Sequence, residues 1–406
     1  MNGKHTGKML PAGSPDPDFG TSGQVHYHSR GSGGSSLMPD GTFLTIGVEY
    51  AKIAVLVRRL SDGSLDPNFP YLGQGGIAKT PLGFTDDFRS RTRNVLPDGK
   101  VLIGGVVYRS ETPLYICYVR LTPQGQLDGS FGVGGRAAID DLPGRFRDLH
   151  SAGLQSDGKI VVLASITWSD PNKNGKLLFR LHVDGTLDKG FGTNGFAYDF
   201  PRNGLYGLQI LPDGKILLNG GSNEGGMISR CEPDGSVDRS FGYDGHFYLP
   251  MTSGYDEISN ATVQSNGKIL VVGQTGDFTA VAFIARLDAK ASGLDSGFNK
   301  GQPLLLPWRE DRVSTHERSA LQLPDGKILS VGFTFGVPSL GMLRRFLPDG
   351  SPDTDFGQDG VVEIAPEGNY SVLLSGLRIQ EDGKYVVTGQ TSNSSGNHIS
   401  IFRFLP

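Results

Sequence analysis

The hydrophobic positions of the chain fall in short runs separated by polar turns, and one turn with its run recurs along the whole length. The turn is PDGK or a close variant, and the run that follows is rich in Val, Ile and Leu. Asp-Gly and Asn-Gly pairs between β-branched runs are hairpin signals, so each copy predicts two strands joined by a tight turn. The seven copies are LMPDGTFLTIG, VLPDGKVLIGG, LQSDGKIVVLA, ILPDGKILLNG, VQSNGKILVVG, QLPDGKILSVG and IQEDGKYVVTG.

The spacing of these copies leaves room for two more strands in each repeat. The third repeat shows all four strands in the order DLHSAGLQ, KIVVLASIT, KLLFRLHV and FAYDF. Its second strand is apolar almost throughout, as expected when neighbouring sheets cover both faces. The sequence therefore predicts an all-β fold, a seven-bladed β-propeller with four antiparallel strands per blade. The first turn residues are Asp40, Asp98, Asp157, Asp213, Asn266, Asp325 and Asp382.

A second phrase, of the form LDxxFG, follows six of the seven copies. The missing phrase stands at the other end of the chain, where LPAGSPDPDFG (10–20) closely matches LPDGSPDTDFG (347–357). We therefore predict a single domain over 1–406, in which 1–29 forms an N-terminal tail and an outer strand that completes the last blade (370–406). Pairing the N-terminal strand QVHYH with the C-terminal strands removes the unpaired strand edges that the two chain ends would otherwise leave.

The two phrases resemble those of the delta-60 repeat proteins, whose units carry PDGKIL followed by DxxFGxxG. The resemblance covers essentially the whole chain and implies a β-propeller-like repeat architecture. It implies no particular activity, because that family has none in common. The departures are local: Thr42 replaces the usual Lys, Asn266 the Asp, and Pro70 the Gly.

Composition adds limits on partners and location. The 60 glycines and 24 prolines suit many short strands joined by tight turns. A formal charge of −4 provides no attraction to nucleic acid or anionic membrane, so we expect neither a nucleic-acid partner nor membrane insertion. Cys117 and Cys231 fall in different repeats, so no disulfide is expected. We expect a soluble cytoplasmic protein, or one exported by a route that needs no signal peptide.

Each third strand carries an arginine near its end, and the Asp of the second phrase follows it closely. We predict a structural ion pair in every blade, because a feature repeated in all blades more often holds each blade together than binds a ligand. Asp16 is expected to serve Arg403 across the closure. The seven arginines are Arg59, Arg120, Arg180, Arg230, Arg286, Arg345 and Arg403.

The two faces of the predicted propeller differ in how much their loops vary. Loops between the first and second and between the third and fourth strands repeat, whereas those on the other face change from blade to blade. Function is expected on the variable face, around the channel mouth. The candidate ligand-binding residues there are Arg91, Arg147, His150, Tyr255, Asp256, His316, Glu317 and Arg318, with Tyr108 and Trp168 as aromatic loop residues. A solvated rim of intramolecular salt bridges is the alternative interpretation.

The mixed charge of the mouth and the aromatic loops favour a non-enzymatic binding module that docks a protein or a polar glycan. The alternative is a polysaccharide-directed lyase or hydrolase with its site at the channel mouth, and a structural role in a larger assembly is a third hypothesis. No spacing singles out a catalytic pair, so no catalytic residue, metal or cofactor is predicted. A monomer is expected.

Overall fold

The computed structural model describes residues 10–29, 31–70, 75–140, 142–167, 175–198, 200, 204–222, 225–249, 251, 255–276, 279–307, 313–366, 371–394 and 396–406. These residues form 28 β-strands and one 3-10 turn, Asn299–Gly301. The strands are grouped in four-stranded antiparallel units, numbered here as blades 1 to 7.

The strands are numbered in chain order. The first of them, β1 (Gln24–His28), belongs to the last blade. Blade 1 contains β2 (Gly31–Leu37), β3 (Phe43–Glu49), β4 (Ile53–Arg59) and β5 (Ile77–Pro81). Blade 2 contains β6 (Asp87–Val95), β7 (Val101–Arg109), β8 (Thr112–Leu121) and β9 (Arg136–Ile139). Blade 3 contains β10 (Arg145–Leu154), β11 (Ile160–Thr167), β12 (Lys176–Leu181) and β13 (Phe196–Ala197). Blade 4 contains β14 (Gly204–Ile210), β15 (Ile216–Ser222), β16 (Gly225–Cys231) and β17 (His246–Leu249).

The remaining blades repeat the pattern. Blade 5 contains β18 (Asp256–Val263), β19 (Ile269–Thr275), β20 (Val281–Leu287) and β21 (Leu304–Leu306). Blade 6 contains β22 (Ser314–Gln322), β23 (Ile328–Phe335), β24 (Leu340–Phe346) and β25 (Val361–Ile364). Blade 7 contains β26 (Val372–Ile379), β27 (Tyr385–Asn393), β28 (Gly396–Phe404) and β1.

The seven blades close into a ring. Each blade contacts the next, and β2 of blade 1 contacts β27 and β28 of blade 7. The first strands of successive blades from blade 1 to blade 7 contact one another, which places them around the axis. Blades 4 and 5 are also joined by strand pairing, with Gly221 of β15 opposite Glu257 of β18. The predicted all-β propeller architecture of four-stranded antiparallel sheets is confirmed, and the described strands divide into seven such units.

The last blade is built from both ends of the chain, as predicted. β1 pairs with β28 in antiparallel register, with Val25 opposite Ile401. The Leu405 amide donates to Ser14 and the Gly13 amide donates to Leu405, each over 2.9 Å. In blade 6 the Leu347 amide donates to Ser351 and the Gly350 amide to Leu347, so the two chain ends rebuild the turn that blade 6 forms continuously.

The hydrophobic core lies between neighbouring blades, and a separate cluster of buried side chains forms most of these interfaces. The phenylalanine of the second phrase is fully or almost fully buried. It packs against the turn that follows the third strand of the next blade, as Phe191 does against Gly235. Gly235 has φ +90°, and a Cβ there would lie 2.5 Å from the Phe191 ring, so the contact requires glycine. Burial of each such ring contributes roughly 1.5–3 kcal/mol. Cys117 and Cys231 are free thiols inside this core.

The ion pair predicted for each blade is present in all seven, with one residue corrected. Arg180 Nε donates to Asp188 over 2.8 Å, and Arg180 Nη1 donates over 2.9 Å to the Pro233 carbonyl of the next blade. In blade 1 the partner of Asp66 is Arg58, at 3.4 Å, and not the predicted Arg59. Strand register explains the correction. Arg58 lies opposite Leu44 of the second strand, and in the other blades the ion-pair arginine lies opposite the residue equivalent to Leu44, such as Val161 opposite Arg180.

Candidate functional site

The innermost strands share a distortion that the sequence pattern does not reveal. In six blades the pairing of the first strand with the second skips one residue, which leaves a β-bulge; β2 of blade 1 pairs without a skip. Bulges re-aim side chains and are common beside functional sites. In each of these six blades a skipped residue stands seven positions before the first turn residue, where blade 1 has Gly33, and β10 also skips Arg147. The bulged residues are Arg91, His150, Tyr206, Ser259, Arg318 and Ser375.

We call these six residues and Gly33 the bulge ring. They lie part of the way along the innermost strands and not in the loops at the ends of those strands. Some neighbours in the ring contact each other. The His150 and Tyr206 rings are 5.4 Å apart, and Arg318 Nη1 donates to Ser259 Oγ over 3.3 Å.

One side of the bulge ring carries a cluster of proton-exchanging groups. His150 Nε2 lies 2.6 Å from Ser165 Oγ and 2.9 Å from Lys176 Nζ. The Lys176 ammonium also sits 4.5 Å from the centre of the Tyr206 ring, a cation–π contact. The Tyr255 hydroxyl donates to the Tyr206 hydroxyl over 3.5 Å. Two predicted site residues, His150 and Tyr255, are therefore brought together here.

Burial sets the protonation of this cluster. Desolvation, with Lys176 nearby, lowers the pKa of His150 to about 4, so its imidazole is neutral at pH 7. Desolvation also lowers the pKa of Lys176 to about 8, although Asp148 opposes the shift. Burial, followed by the hydrogen bond to Tyr206, raises the pKa of Tyr255. An amine that loses its proton near pH 8 can act as a general base.

Lys176 was not among the predicted site residues, although a signal for it exists in the sequence. Its strand, KLLFRLHV, reads as an apolar core strand, and Lys176 is indeed buried, with 8% exposed. Aligning the blades through their ion-pair arginines shows that the lysine is an exception. The equivalent residues are Ala54, Ile116, Gly226, Ala282, Gly341 and Ile399.

Arg318 is the centre of the opposite side of the bulge ring. Its guanidinium carbon lies 5.4 Å from the centre of the Phe333 ring, and the side chain is 33% exposed. Arg318 Nη1 is 3.5 Å from Glu257 Oε1, a loose ion pair. The guanidinium is therefore partly exposed, with an aromatic ring behind it.

The arginines of blades 2 and 3 also reach solvent. Arg91 Nε donates to Asp148 over 3.0 Å, and both side chains are about two-fifths exposed. Arg147 is exposed and donates to the hydroxyl of Thr167. Arg91 is a bulge-ring residue, whereas Arg147 occupies a second, separate skip in β10.

Three predicted site residues lie in the blade interior instead of the channel. Asp256 is buried and accepts hydrogen bonds from the Thr275 hydroxyl and the Met251 amide. His316 is buried and stacks on Phe333, with ring centres 5.2 Å apart. Desolvation lowers the pKa of His316 to about 4.

Glu317 is the third and is completely buried. Its Oε2 accepts a hydrogen bond from Arg344 Nη1 over 2.7 Å, and its Oε1 has no hydrogen-bond partner within the described part of the chain. Desolvation raises the pKa of this carboxyl, and Arg344 opposes the shift. The corresponding positions are apolar in most blades, for example Leu149 and Leu374.

The aromatic loop residues divide by exposure. Tyr108 is half-buried beneath the Arg89 guanidinium, whose carbon is 4.5 Å from the ring centre. Tyr50 and Phe335 are 58% and 42% exposed, respectively. Trp168 lies outside the described residues. No helix among the described residues is long and apolar enough to cross a membrane.

Comparison with protein families supports the repeat pattern. A family model described as a domain of unknown function (DUF5122) beta-propeller matches residues 96–131, 155–191, 323–356 and 380–406. These segments lie in blades 2, 3, 6 and 7 and together cover less than half of the chain. Each begins just before the PDG turn. No curated protein matches the chain.

Solved structures share the fold at low sequence identity. A structure of YCF48 bound to D1 peptide is 12% identical, with 99% of each chain covered and a TM-score of 0.55. The beta-propeller domain of the Trilobed protease from Pyrococcus furiosus is 10% identical, with 94% and 95% covered and a TM-score of 0.43. Prolyl oligopeptidase B from Galerina marginata is 11% identical, with 91% and 51% covered and a TM-score of 0.48. The strand topology and the YCF48 structure together show that the chain is a β-propeller in fold.

Proposed function

We propose that this protein is a binding module that takes an extended polar peptide segment of a partner protein into its channel, as far as the bulge ring. The bulge ring carries the proposal, because its chemistry changes from blade to blade while the turns and ion pairs around it repeat. Arg91, Tyr206 and Arg318 all reach solvent. Arginine and tyrosine dominate the binding energy of many protein interfaces.

A peptide is favoured over a glycan by one comparison. YCF48, which aligns over 99% of this chain, is described in complex with a peptide. The wall of the channel also alternates cations, hydroxyls and one aromatic ring, which suits a chain with mixed side chains. A row of stacked sugars needs a succession of aromatic faces, whereas the bulge ring has one tyrosine.

A selection from a displayed library of random peptides tests the proposal. We expect the wild-type protein to enrich peptides that it binds with micromolar affinity. A variant with Arg91, Tyr206 and Arg318 changed to Ser should bind them at least tenfold more weakly, since each lost contact costs about 1 kcal/mol or more. Serine already occupies the ring at Ser259 and Ser375, so the scaffold accepts it.

The matched control carries Lys189→Ser and Lys290→Ser, two exposed lysines in the turns of the repeated face. This variant should bind the selected peptides like the wild type, as titration calorimetry would report. Equal binding by the ring variant would overturn the proposal. Binding of glycans but no peptides on arrays would replace it with the glycan alternative.

A second candidate function rests on the cluster around Lys176. His150, Tyr206 and Tyr255 converge there, and a lysine that titrates near pH 8 can take a proton from a substrate. Removing a proton beside a carboxylate is the first step of polysaccharide elimination, and a nearby cation such as Arg91 assists it by neutralising that carboxylate. This is the lyase hypothesis in a concrete form.

The lyase hypothesis is tested on acidic polysaccharides by the ultraviolet absorbance of unsaturated products. The rate should rise as pH increases towards 8, because the neutral amine is the base. Lys176→Met should lower the rate at least a hundredfold, and Lys189→Met should leave it unchanged. An absence of turnover by the wild type, or full activity of Lys176→Met, would exclude a base role for Lys176.

Further parts of the proposal concern the chain as a whole. Residues 1–406 would act as one domain and as a monomer, because the pairing of β1 with β28 completes the last blade within one chain. The two repeated phrases would make the chain a delta-60 repeat protein. Sedimentation equilibrium should give the mass of one 43.4 kDa chain.

A further inference from the structure

A cavity of about 180 Å³ opens beside Arg318, between blades 6, 7 and 1. Blade 6 contributes Arg318 and the Phe333 ring, and blade 1 contributes Gly33 and Gly34. The wall from blade 7 includes Ser375 of the bulge ring. One wall is therefore cationic and aromatic, and the wall from blade 1 consists of the backbone at Gly33 and Gly34 together with Ser35.

The two glycines of β2 differ in what surrounds them. A Cβ on Gly33 would lie 2.0 Å from the Ile399 side chain, so close packing against blade 7 requires that glycine. A Cβ on Gly34 would meet no atom within 4 Å. Successive residues of a strand point to opposite faces. Gly34 therefore marks open space in the cavity, and its φ is not restricted to glycine.

The Arg318 guanidinium has donors left for a ligand. A guanidinium carries five N–H groups. Among the described residues, its one hydrogen bond runs from Nη1 to Ser259, at 3.3 Å, and Glu257 is 3.5 Å from the same nitrogen. Both contacts are long, and both involve one edge of the fork. The Phe333 ring behind the guanidinium limits its movement.

The size and chemistry of the cavity select one class of ligand. The planar fork of an arginine matches a carboxylate in bidentate geometry. A volume of about 180 Å³ is below the roughly 300–1,000 Å³ of sites that enclose whole small molecules. We propose that this cavity binds a single carboxylate group, held by Arg318 and facing the glycine wall of β2. The group could belong to an acidic peptide side chain, in which case the inference rests on the proposed function, or to a small free acid.

Ligand-observed NMR titration of the full chain tests the carboxylate assignment, and the ratio of the affinities for the capped glutamate and for succinate distinguishes the two sources. The probes are succinate, N-acetylglutamate N-methylamide, its glutamine counterpart and inorganic phosphate. We expect the two carboxylates to bind and the glutamine compound to bind at least tenfold more weakly. Equal binding of the glutamine compound, or tighter binding of phosphate, would overturn the carboxylate assignment.

Two variants connect the binding to the cavity. Arg318→Gln removes the charge, and Gly34→Val fills the space without altering a charge. Each should raise the dissociation constant of the carboxylates at least tenfold. The matched control is Gly129→Val, because a Cβ on Gly129 also meets no atom within 4 Å but lies in an exposed turn. Unchanged binding by Gly34→Val, in a protein that melts like the wild type, would remove the cavity as the site.

The outcomes separate this inference from the proposed function. Carboxylate binding without any selected peptide would retain the cavity site and exclude the peptide-binding module. Selected peptides without acidic residues, together with no succinate binding, would retain the module and overturn the cavity site.

Discussion

Removing the segment that closes the ring is expected to have the largest effect on stability. A chain that starts at residue 30 lacks β1 and loses the buried side chains of Phe19 and Val25, each worth about 2–3 kcal/mol. It also leaves Arg403 without Asp16, whose Oδ2 it contacts at 2.6 Å. An unpaired buried charge costs about 3–5 kcal/mol. The sum approaches the whole stability of a typical domain, about 5–15 kcal/mol.

A circular permutant provides the control. Joining Pro406 directly to Ala12 gives the sequence FLPAGSPD at the junction. This differs at one position from FLPDGSPD, the continuous segment 346–353 of blade 6. The hydrogen bonds of Leu405 with Gly13 and Ser14 already match those of that turn. The new chain ends of this permutant lie between Ser110 and Glu111, in the exposed loop after β7. Because the closure turn becomes covalent, we expect its free energy of unfolding to be within about 2 kcal/mol of that of the chain 12–406.

Urea unfolding of the three chains, 12–406, 30–406 and the permutant, is the measurement. We expect 30–406 to be unfolded or to lose at least half of its free energy of unfolding. The same midpoint and slope for 30–406 and 12–406 would contradict the closure. If only the permutant is unfolded, the new junction and not the pairing of β1 is the cause of its instability.

The buried pair of Glu317 and Arg344 is expected to show the second largest effect. Glu317→Leu leaves Arg344 buried without its carboxylate, and Arg344→Phe leaves Glu317 without its cation. Each single change should cost about 3–5 kcal/mol. The double variant reproduces the apolar pair that blade 7 has at the same positions, Leu374 and Phe402. It should be as stable as the wild type or up to about 3 kcal/mol more stable.

A double-mutant cycle in urea measures this coupling, and pH gives a second readout. Burial raises the pKa of Glu317, and in Arg344→Phe the opposing charge is gone. Because a buried acid with a raised pKa binds its proton more tightly in the folded state, this variant should recover stability as pH falls through that raised pKa. Additive effects of the two single changes would show that the ion pair is not a coupled unit.

The repeated features of the fold were predictable from the sequence because each appears seven times. The turns, the closure and the ion pairs follow from two phrases. The exception is Arg58: the run VRRL contains two arginines, and only strand register shows which one meets Asp66.

The candidate site was only partly predictable, because bulges leave no mark in a hydrophobic pattern. The sequence presents Arg91, His150 and Arg318 as charged loop-end residues, whereas the structure places them within the strands, at the positions that the pairing skips. Glu317 was grouped with them by its charge, although its place in the strand pattern is a core position. Lys176 was hidden by its apolar neighbours.

The undistorted, glycine-rich β2 also affects how a bound molecule is oriented. Seven similar blades around an axis would offer a ligand seven nearly equivalent rotations. The shape of one sector breaks that degeneracy in addition to the bulge-ring side chains, because blade 1 has no side chain at Gly33 or Gly34 and a Cβ on Gly34 would meet no atom within 4 Å. A partner that fills this notch is held at one angle, so its other residues meet a defined order of blades.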